Sequence, residues 1–288
     1  MIETSTGPSV VRSLIEHAAI ELVPMKSLAG AVAELPARSH VSMTCSPAKS
    51  IEFTLDETAA LLAAGHRVTP HIAARMVRSA EHLREIHARL VELDVRDVFV
   101  VAGDADPPGC FFDAIEFIEA LVSLDDAGDA RQIDHIGFTS YPDTHPIIST
   151  AQLHDALHRK QELVLASGRT AHVATQMCFS ADRIDRWLVA ERAAGFRLPV
   201  RLGLPGVIDT AKLLTMGMRL GVGTSLRYLS KNRSALGKLM TQRSYEPDQL
   251  LRPLADRFEP LGIDGLHLFT FNQVAATEAW RRDALGRY

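Results

Sequence analysis

The sequence has few cysteines, no excess of basic residues and no long apolar run. Its three cysteines, at positions 45, 110 and 178, are odd in number and far apart, which indicates reduced thiols in a cytoplasmic protein rather than a disulfide framework. A formal net charge of -4 argues against a nucleic-acid partner, because nonspecific binding to nucleic acid needs a basic surface. No apolar run approaches the roughly 20 residues that span a bilayer. Residues 1–11 lack the basic and apolar regions of a signal peptide, so we expect neither membrane association nor a targeting segment.

Common catalytic and metal-binding motifs are also missing. The chain has 12 histidines but no His-Glu-x-x-His, no Cys-x-x-Cys and no close cluster of ligand types. We therefore predict no metal site, with a divalent metal assembled from several strand ends as the alternative. No serine, histidine and aspartate stand in the context of a nucleophile elbow.

What is present is a repeated alternation of buried strands and amphipathic helices. Eight runs are typical of buried strands, at residues 18–23, 40–45, 67–72, 98–102, 136–141, 171–178, 200–204 and 265–271. Helical periodicity lies between them, for example at residues 55–64, 77–93, 112–124, 181–194 and 209–218. A chain with 47% hydrophobic and 23% charged residues can bury a large core without disulfides or metals.

This alternation predicts an α/β fold, a single-domain (β/α)8 TIM barrel over residues 1–288. A doubly wound open sheet is the alternative. It needs a glycine-rich phosphate turn after its first strand, where this chain has Pro24-Met25-Lys26-Ser27.

In such barrels the chemistry gathers at the C-terminal ends of the strands. Asp104 follows the fourth apolar run and Gly103, at the rim of the predicted core; the alternative is that Asp104 only caps the next helix. Glu21 stands inside the first strand among apolar neighbours, so we expect burial to raise its pKa and make it a proton donor. A buried glutamate paired with an arginine is the alternative. The polar residues at the strand ends are Glu21, Thr44, His71, Asp104, Tyr141, His145, Gln176, His267 and Asn272.

Seven short motifs stand in order at these strand ends. They are Ala-Ile-Glu-Leu-Val-Pro-Met-Lys-Ser (19–27), Val-Ser-Met-Thr (41–44), Thr-Pro-His (69–71), Ala-Gly-Asp (102–104), Tyr-Pro-Asp-Thr-His-Pro (141–146), Thr-Gln (175–176) and Leu-His-Leu-Phe-Thr-Phe-Asn (266–272). Together they resemble the methylenetetrahydrofolate reductase family, whose barrel reduces 5,10-methylenetetrahydrofolate to 5-methyltetrahydrofolate. The similarity covers nearly the whole chain and implies a role in one-carbon metabolism and methionine biosynthesis.

The resemblance also implies roles for individual residues. Glu21 matches the family's general acid, Asp104 would stabilise positive charge on the substrate, and Gln176 would hold the pterin. The resemblance also implies that the substrate is contacted by Thr44, His267 and Asn272. It implies that the cofactor is contacted by His71, Tyr141, His145, Arg159 and Lys160.

The departures from the family pattern lie on the flavin side. Ala102 stands where the family has an arginine that helps to hold FAD, Cys45 where it has a tyrosine, and Ala156 where it has an asparagine. We therefore expect no tightly bound FAD, and we expect NAD(P)H, with NADH favoured, to pass hydride directly to the folate. An FAD-dependent reductase of this family, another pterin-dependent barrel reductase or methyltransferase, and a noncatalytic folate-binding barrel remain alternatives.

Recognition of the folate glutamate tail must also differ from the family. The family's arginine after its closing Thr-Leu-Asn is Gln273 here. A basic stretch could replace it, or could form a solvated helix face; its residues are Arg227, Lys231, Arg233 and Lys238. The expected partners are thus a folate and a nicotinamide cofactor, with no obligate protein partner.

Overall fold

The computed structural model describes residues 7–128, 132–209, 213 and 244–288. Eight of its strands are β1 Ala19–Leu22, β2 His40–Met43, β3 Arg67–Ala73, β4 Asp97–Val101, β5 His135–Ser140, β6 Thr170–Thr175, β7 Val200–Pro205 and β10 Ile263–Phe269. They pair in parallel and close into a barrel, with β10 between β7 and β1. A separate antiparallel pair joins β8 Ile208–Asp209 to β9 Ser244–Tyr245. The predicted (β/α)8 TIM barrel is confirmed, and each predicted strand overlaps an observed one.

Helices cover the outside of the barrel. The described ones are α1 Gly7–Glu16, α2 Leu28–Ala33, α3 Ile51–Ala63, α4 Ala80–Glu92, α5 Ala114–Asp126, α6 Thr150–Ala166, α7 Ala181–Ala193, α8 Asp248–Leu254, α9 Phe258–Leu261 and α10 Val274–Arg287. Of the helix predicted at 209–218, only residues 209 and 213 are among the described residues, and residue 209 is the last residue of β8. No helix in the described ranges is both long and apolar enough to cross a membrane.

The main core lies between the strands and the helices, while the barrel interior is polar. Successive residues of a strand point to opposite faces. Ile20 and Leu22 therefore point outward, where they pack in one buried cluster with Leu28 and Ala31, and Glu21 points inward. Branched aliphatic side chains fill most barrels of this class, but here the strands bring five histidines together: His40, His71, His135, His172 and His267.

Candidate active site

Glu21 lies one residue before the end of β1 and is only 8% exposed. Its Oε2 is hydrogen-bonded to His267 Nε2 at 2.9 Å, and the hydroxyl of Thr270 donates to its backbone oxygen at 2.6 Å. The predicted burial of Glu21 is confirmed. Ile20 and Leu22 point away from it, and its partner is a histidine rather than an arginine.

Aromatic rings surround this acid and histidine. His71 stacks on Phe99 with ring centroids 4.5 Å apart, and the His267 ring lies 6.0 Å from that of Phe99. His71 Nε2 is hydrogen-bonded to Ser42 Oγ at 2.6 Å. Burial, assisted by the charge of His267, holds the pKa of His71 well below its ordinary value, so His71 is neutral. A cofactor can contact this ring only through a group that enters the barrel.

Three of these side chains could also hold a metal ion. The ligand atoms of Glu21, His71 and His267 all lie within 4.8 Å of one another. Spacing motifs cannot detect such a group, since its members come from three separate strands. In this group Glu21 is hydrogen-bonded to His267, and His71 to Ser42.

Asp104 lies exposed in the loop after β4. Gly103 before it has a φ of +84°, and a Cβ there would come within 2.8 Å of Ala73 Cβ. Only glycine fits this turn. The following helix, α5, is capped by Asp113, whose carboxylate accepts the backbone N–H of Ile115 at 2.7 Å. The alternative interpretation of Asp104 as a helix cap is therefore wrong.

The two predicted catalytic carboxylates face the same mouth of the barrel. Burial raises the pKa of the Cys45 thiol to about 12, and the negative charges of Asp104 and Glu21 both add to this effect. The charge of Asp104 also acts on Tyr141 and His145, whose rings meet edge to face at 5.3 Å. Burial raises the pKa of Tyr141 and lowers that of His145. These side chains thus form one electrostatic environment.

Thr44, Gln176 and Asn272, the other predicted substrate contacts, differ in their hydrogen bonds. Thr44 Oγ1 is buried and has no hydrogen-bond partner within the described ranges, so a ligand hydroxyl or amide could satisfy it. Gln176 Oε1 accepts the N–H of Met177 at 2.8 Å. Asn272 Oδ1 accepts the N–H of Val23, and its Nδ2 donates to the Val23 oxygen, both at 2.9 Å. Asn272 therefore ties together the segments that follow β1 and β10.

A cavity of about 240 Å³ opens between the ends of β4 and β5 and the helices α5, α6 and α7. Lys160 lines this cavity; its Nζ donates to the Thr139 oxygen at 3.3 Å and lies 4.6 Å from the centre of the Phe138 ring. Burial lowers the pKa of Lys160 to about 8. Arg159 is exposed and does not line the cavity. Of the predicted basic pair Arg159 and Lys160, therefore, Lys160 alone lines this cavity.

A polar layer deeper in the barrel was missed from the sequence. His135 Nε2 and His172 Nδ1 are 2.6 Å apart, and His40 Nε2 is hydrogen-bonded to Thr69 Oγ1 at 3.0 Å. Gly137 leaves room for these rings, since a Cβ there would lie 2.6 Å from His172. The available signal was the placement of polar residues at alternate positions of β2, β3 and β5.

The basic stretch predicted to bind the folate tail, Arg227, Lys231, Arg233 and Lys238, lies outside the described residues. Gln273, at the position of the family's tail-binding arginine, immediately precedes α10. Its backbone oxygen accepts the hydroxyl of Thr277 at 3.1 Å. Tail recognition therefore stays a prediction.

No family model matches this chain. Among solved structures, it is similar to one titled "Crystal structure of a putative phosphonomutase from Burkholderia cenocepacia J2315". The identity is 14%, the match covers 68% of this chain and 81% of the other, and the TM-score is 0.44. This likeness says nothing about the chemistry of the present site.

Proposed function

We propose that this protein reduces 5,10-methylenetetrahydrofolate to 5-methyltetrahydrofolate with NAD(P)H, NADH being favoured, and that it does so without a tightly bound flavin. The observation that carries the proposal is the hydrogen bond between the buried Glu21 and His267 at the barrel mouth. Asp104 lies on the same side. A noncatalytic folate-binding barrel has little need for a buried acid, so this arrangement favours an enzyme.

Glu21 acts as the general acid in this proposal. Opening the methylene bridge needs a proton on the folate nitrogen that leaves, and a positioned carboxylic acid can supply it. The bond that breaks leaves an iminium cation at the other nitrogen. His267 is then a positioning residue rather than the predicted substrate contact, since its Nε2 lies 2.9 Å from the Glu21 carboxyl and its ring is 2% exposed. It holds the carboxyl group in one orientation.

Asp104 stabilises the cation. It is exposed at the mouth, where a bound substrate can cover it. A fixed negative charge next to a developing positive charge can stabilise a transition state by about 3 kcal/mol once water is excluded. This contribution grows as the iminium forms, because the neutral substrate gains less from the same charge.

Two alanines on the cavity wall support a mechanism without a tightly bound flavin. Ala102 and Ala156 both line the cavity that contains Lys160, and they replace the arginine and asparagine of the family pattern. Cys45, with a thiol held neutral by its raised pKa, replaces the tyrosine. The alanine methyl groups offer no hydrogen bond in place of those lost, and a thiol offers only a weak one.

The nicotinamide cofactor supplies the hydride when it is bound. Tyr141 and His145 at the mouth and Lys160 in the adjoining cavity are the described side chains that could hold it. Lys160 suits a phosphate group because it is buried with its ammonium group held between a backbone oxygen and a ring. Direct transfer requires both ligands to be bound together and their reacting atoms to be close, so the kinetics should be sequential.

The proposal is tested by measuring oxidation of NADH with 5,10-methylenetetrahydrofolate and formation of 5-methyltetrahydrofolate. Glu21→Gln keeps the size of the side chain and removes its acidic proton, so kcat should fall by at least about 100-fold while folate still binds. Glu34→Gln, at an exposed position beside α2, is the matched control and should turn over normally. Turnover near the wild-type rate in Glu21→Gln would refute the general-acid assignment. Stoichiometric flavin, visible as absorption at about 450 nm, would refute the direct route.

A further inference from the structure

A second group of histidines and a carboxylate lies outside the barrel. His154 and His158 stand four residues apart on α6, and therefore on the same face of that helix. Their rings are 4.4 Å apart. Glu191 of α7 reaches between them: its Oε2 lies 2.8 Å from His154 Nδ1 and 2.9 Å from His158 Nε2. The proposed folate chemistry uses none of these residues.

We propose that His154 Nδ1, His158 Nε2 and Glu191 Oε2 bind a divalent first-row transition metal ion, Zn²⁺ being the best match. One ligand atom from each of these side chains lies within 4.8 Å of the other two. Two imidazoles and a carboxylate form a ligand set that suits zinc. Tetrahedral zinc places neighbouring ligand atoms about 3.3 Å apart, so the two observed N–O distances need to grow by only a few tenths of an ångström.

The hydrogen bonds of the two histidines describe a site that an ion can enter. Both histidines share one carboxylate oxygen, so each presents an N–H to Glu191. A metal ion needs a lone pair at these same nitrogens, so the proton of each neutral ring moves to its other ring nitrogen, and a ring that starts as an imidazolium releases one proton to water. The side chains of His154 and His158 are 47% and 17% exposed, and that of Glu191 is 9% exposed. The site is therefore reachable from solvent, in contrast to the group of Glu21, His71 and His267 inside the barrel.

The two helices are held in place independently of the ligands. Gln161, one turn after His158 on α6, donates to the Gly195 oxygen at 3.1 Å and accepts the N–H of Arg197 at 2.6 Å. The His158 ring also meets the Phe196 ring edge to face, with centroids 6.1 Å apart. These contacts fix α6 against the segment that follows α7. The ligand geometry is thus preorganised, which lowers the entropy that metal binding must overcome.

Three protein ligands leave a fourth coordination position open, as in catalytic rather than structural zinc sites. Two of the ligands, His154 and Glu191, line the cavity of about 240 Å³. The open position therefore has room for water or a small ligand on the cavity side. Trp187, one turn before Glu191 on α7, also lines this cavity.

The test measures metal binding by the intact protein after treatment with a chelator. Calorimetric titration measures the affinity for Zn²⁺, and the visible spectrum of added Co²⁺ reports the coordination of the ion. We expect the wild type to bind Zn²⁺ at this site. His158→Gln and His154→Gln should each weaken that binding by at least about 100-fold, because removing a metal ligand should lower the affinity more than removing a residue that only supports a ligand. His17→Gln removes an exposed histidine and should bind as the wild type does. Glu21→Gln should also keep this binding.

Circular dichroism confirms that each variant is folded, and His154 is exposed enough for its replacement to be tolerated. Failure of the wild type to bind Zn²⁺ would overturn the proposal. So would wild-type affinity in both His154→Gln and His158→Gln, because the ion would then be bound elsewhere. Either result leaves the folate assay with Glu21→Gln unaffected, so the two proposals fail separately.

Discussion

The histidines inside the barrel should make the protein sensitive to acid, and His40 allows the size of the effect to be calculated. Burial lowers the pKa of His40 to about 3, with smaller contributions from the charges of Arg201 and Arg67. In the unfolded chain a histidine titrates near about 6.5. Below that pH the unfolded state takes up a proton that folded His40 does not. Its contribution to stability is therefore complete above about pH 6.5 and is lost as the pH falls toward 3.

Between about pH 7.5 and about pH 5, a single histidine with this shift should lower the free energy of unfolding by about 2 kcal/mol. Burial also lowers the pKa of His71, His135 and His172, so the wild type should lose more than His40 alone accounts for. In His40→Gln the titrating group is gone. The loss between the two pH values should therefore shrink by about 2 kcal/mol, whatever the variant's stability at neutral pH.

Urea unfolding at both pH values, followed by tryptophan fluorescence, measures this difference. Trp280 is 6% exposed and should report the loss of packing. His17→Gln is the control, because His17 is exposed at the end of α1, and its pH dependence should equal that of the wild type. If His40→Gln and the wild type lose the same free energy between the two pH values, His40 does not stay neutral in the folded barrel and the reasoning is refuted.

Three further variants test the site. Asp104→Asn should lower kcat more than it raises KM, because its charge acts most strongly on the cation; steady-state kinetics that show a change in KM alone would contradict this role. Lys160→Met removes a buried charge whose pKa is lowered to about 8. This shift corresponds to about 3 kcal/mol at about pH 7, and the lost bond to the Thr139 oxygen offsets about 1 kcal/mol of it, so urea unfolding should show a gain of about 2 kcal/mol and NADH should bind more weakly. Asn272→Gly keeps the φ of +60° but loses both bonds to Val23, which should lower the unfolding free energy by about 2 kcal/mol. A raised KM for the folate with unchanged stability would instead show Asn272 to be a substrate contact.

The strands could be predicted from the sequence because their outward faces carry mostly apolar residues that pack under the helices. The helix starts were less accurate. The helix predicted at 55–64 begins at Ile51, since Ser50 caps it by accepting the N–H of Phe53. The helix predicted at 77–93 begins at Ala80, after the cap Ser79. Serine caps mark these starts in the sequence, and apolar periodicity alone misses them.

Contacts between distant elements could not be predicted in this way. Asp125, in an aspartate-rich stretch at the end of α5, is only 1% exposed and pairs with Arg169 at 2.7 Å. Glu191 meets His154 across 37 positions. The pairing of Glu21 with His267 spans 246 positions. Such partners depend on how the barrel closes, which no local pattern records.

The most direct test of the proposed reaction is to follow the hydride itself. NADH carrying deuterium at either face of the nicotinamide C4 is mixed with 5,10-methylenetetrahydrofolate and protein shown to be free of flavin, and the product is analysed by mass spectrometry. We expect one of the two labelled cofactors to give 5-methyltetrahydrofolate with one deuterium in its methyl group, because direct transfer gives the label no chance to exchange with water. Failure to form this product, or a methyl group that carries hydrogen from water with both labelled cofactors, would contradict the account.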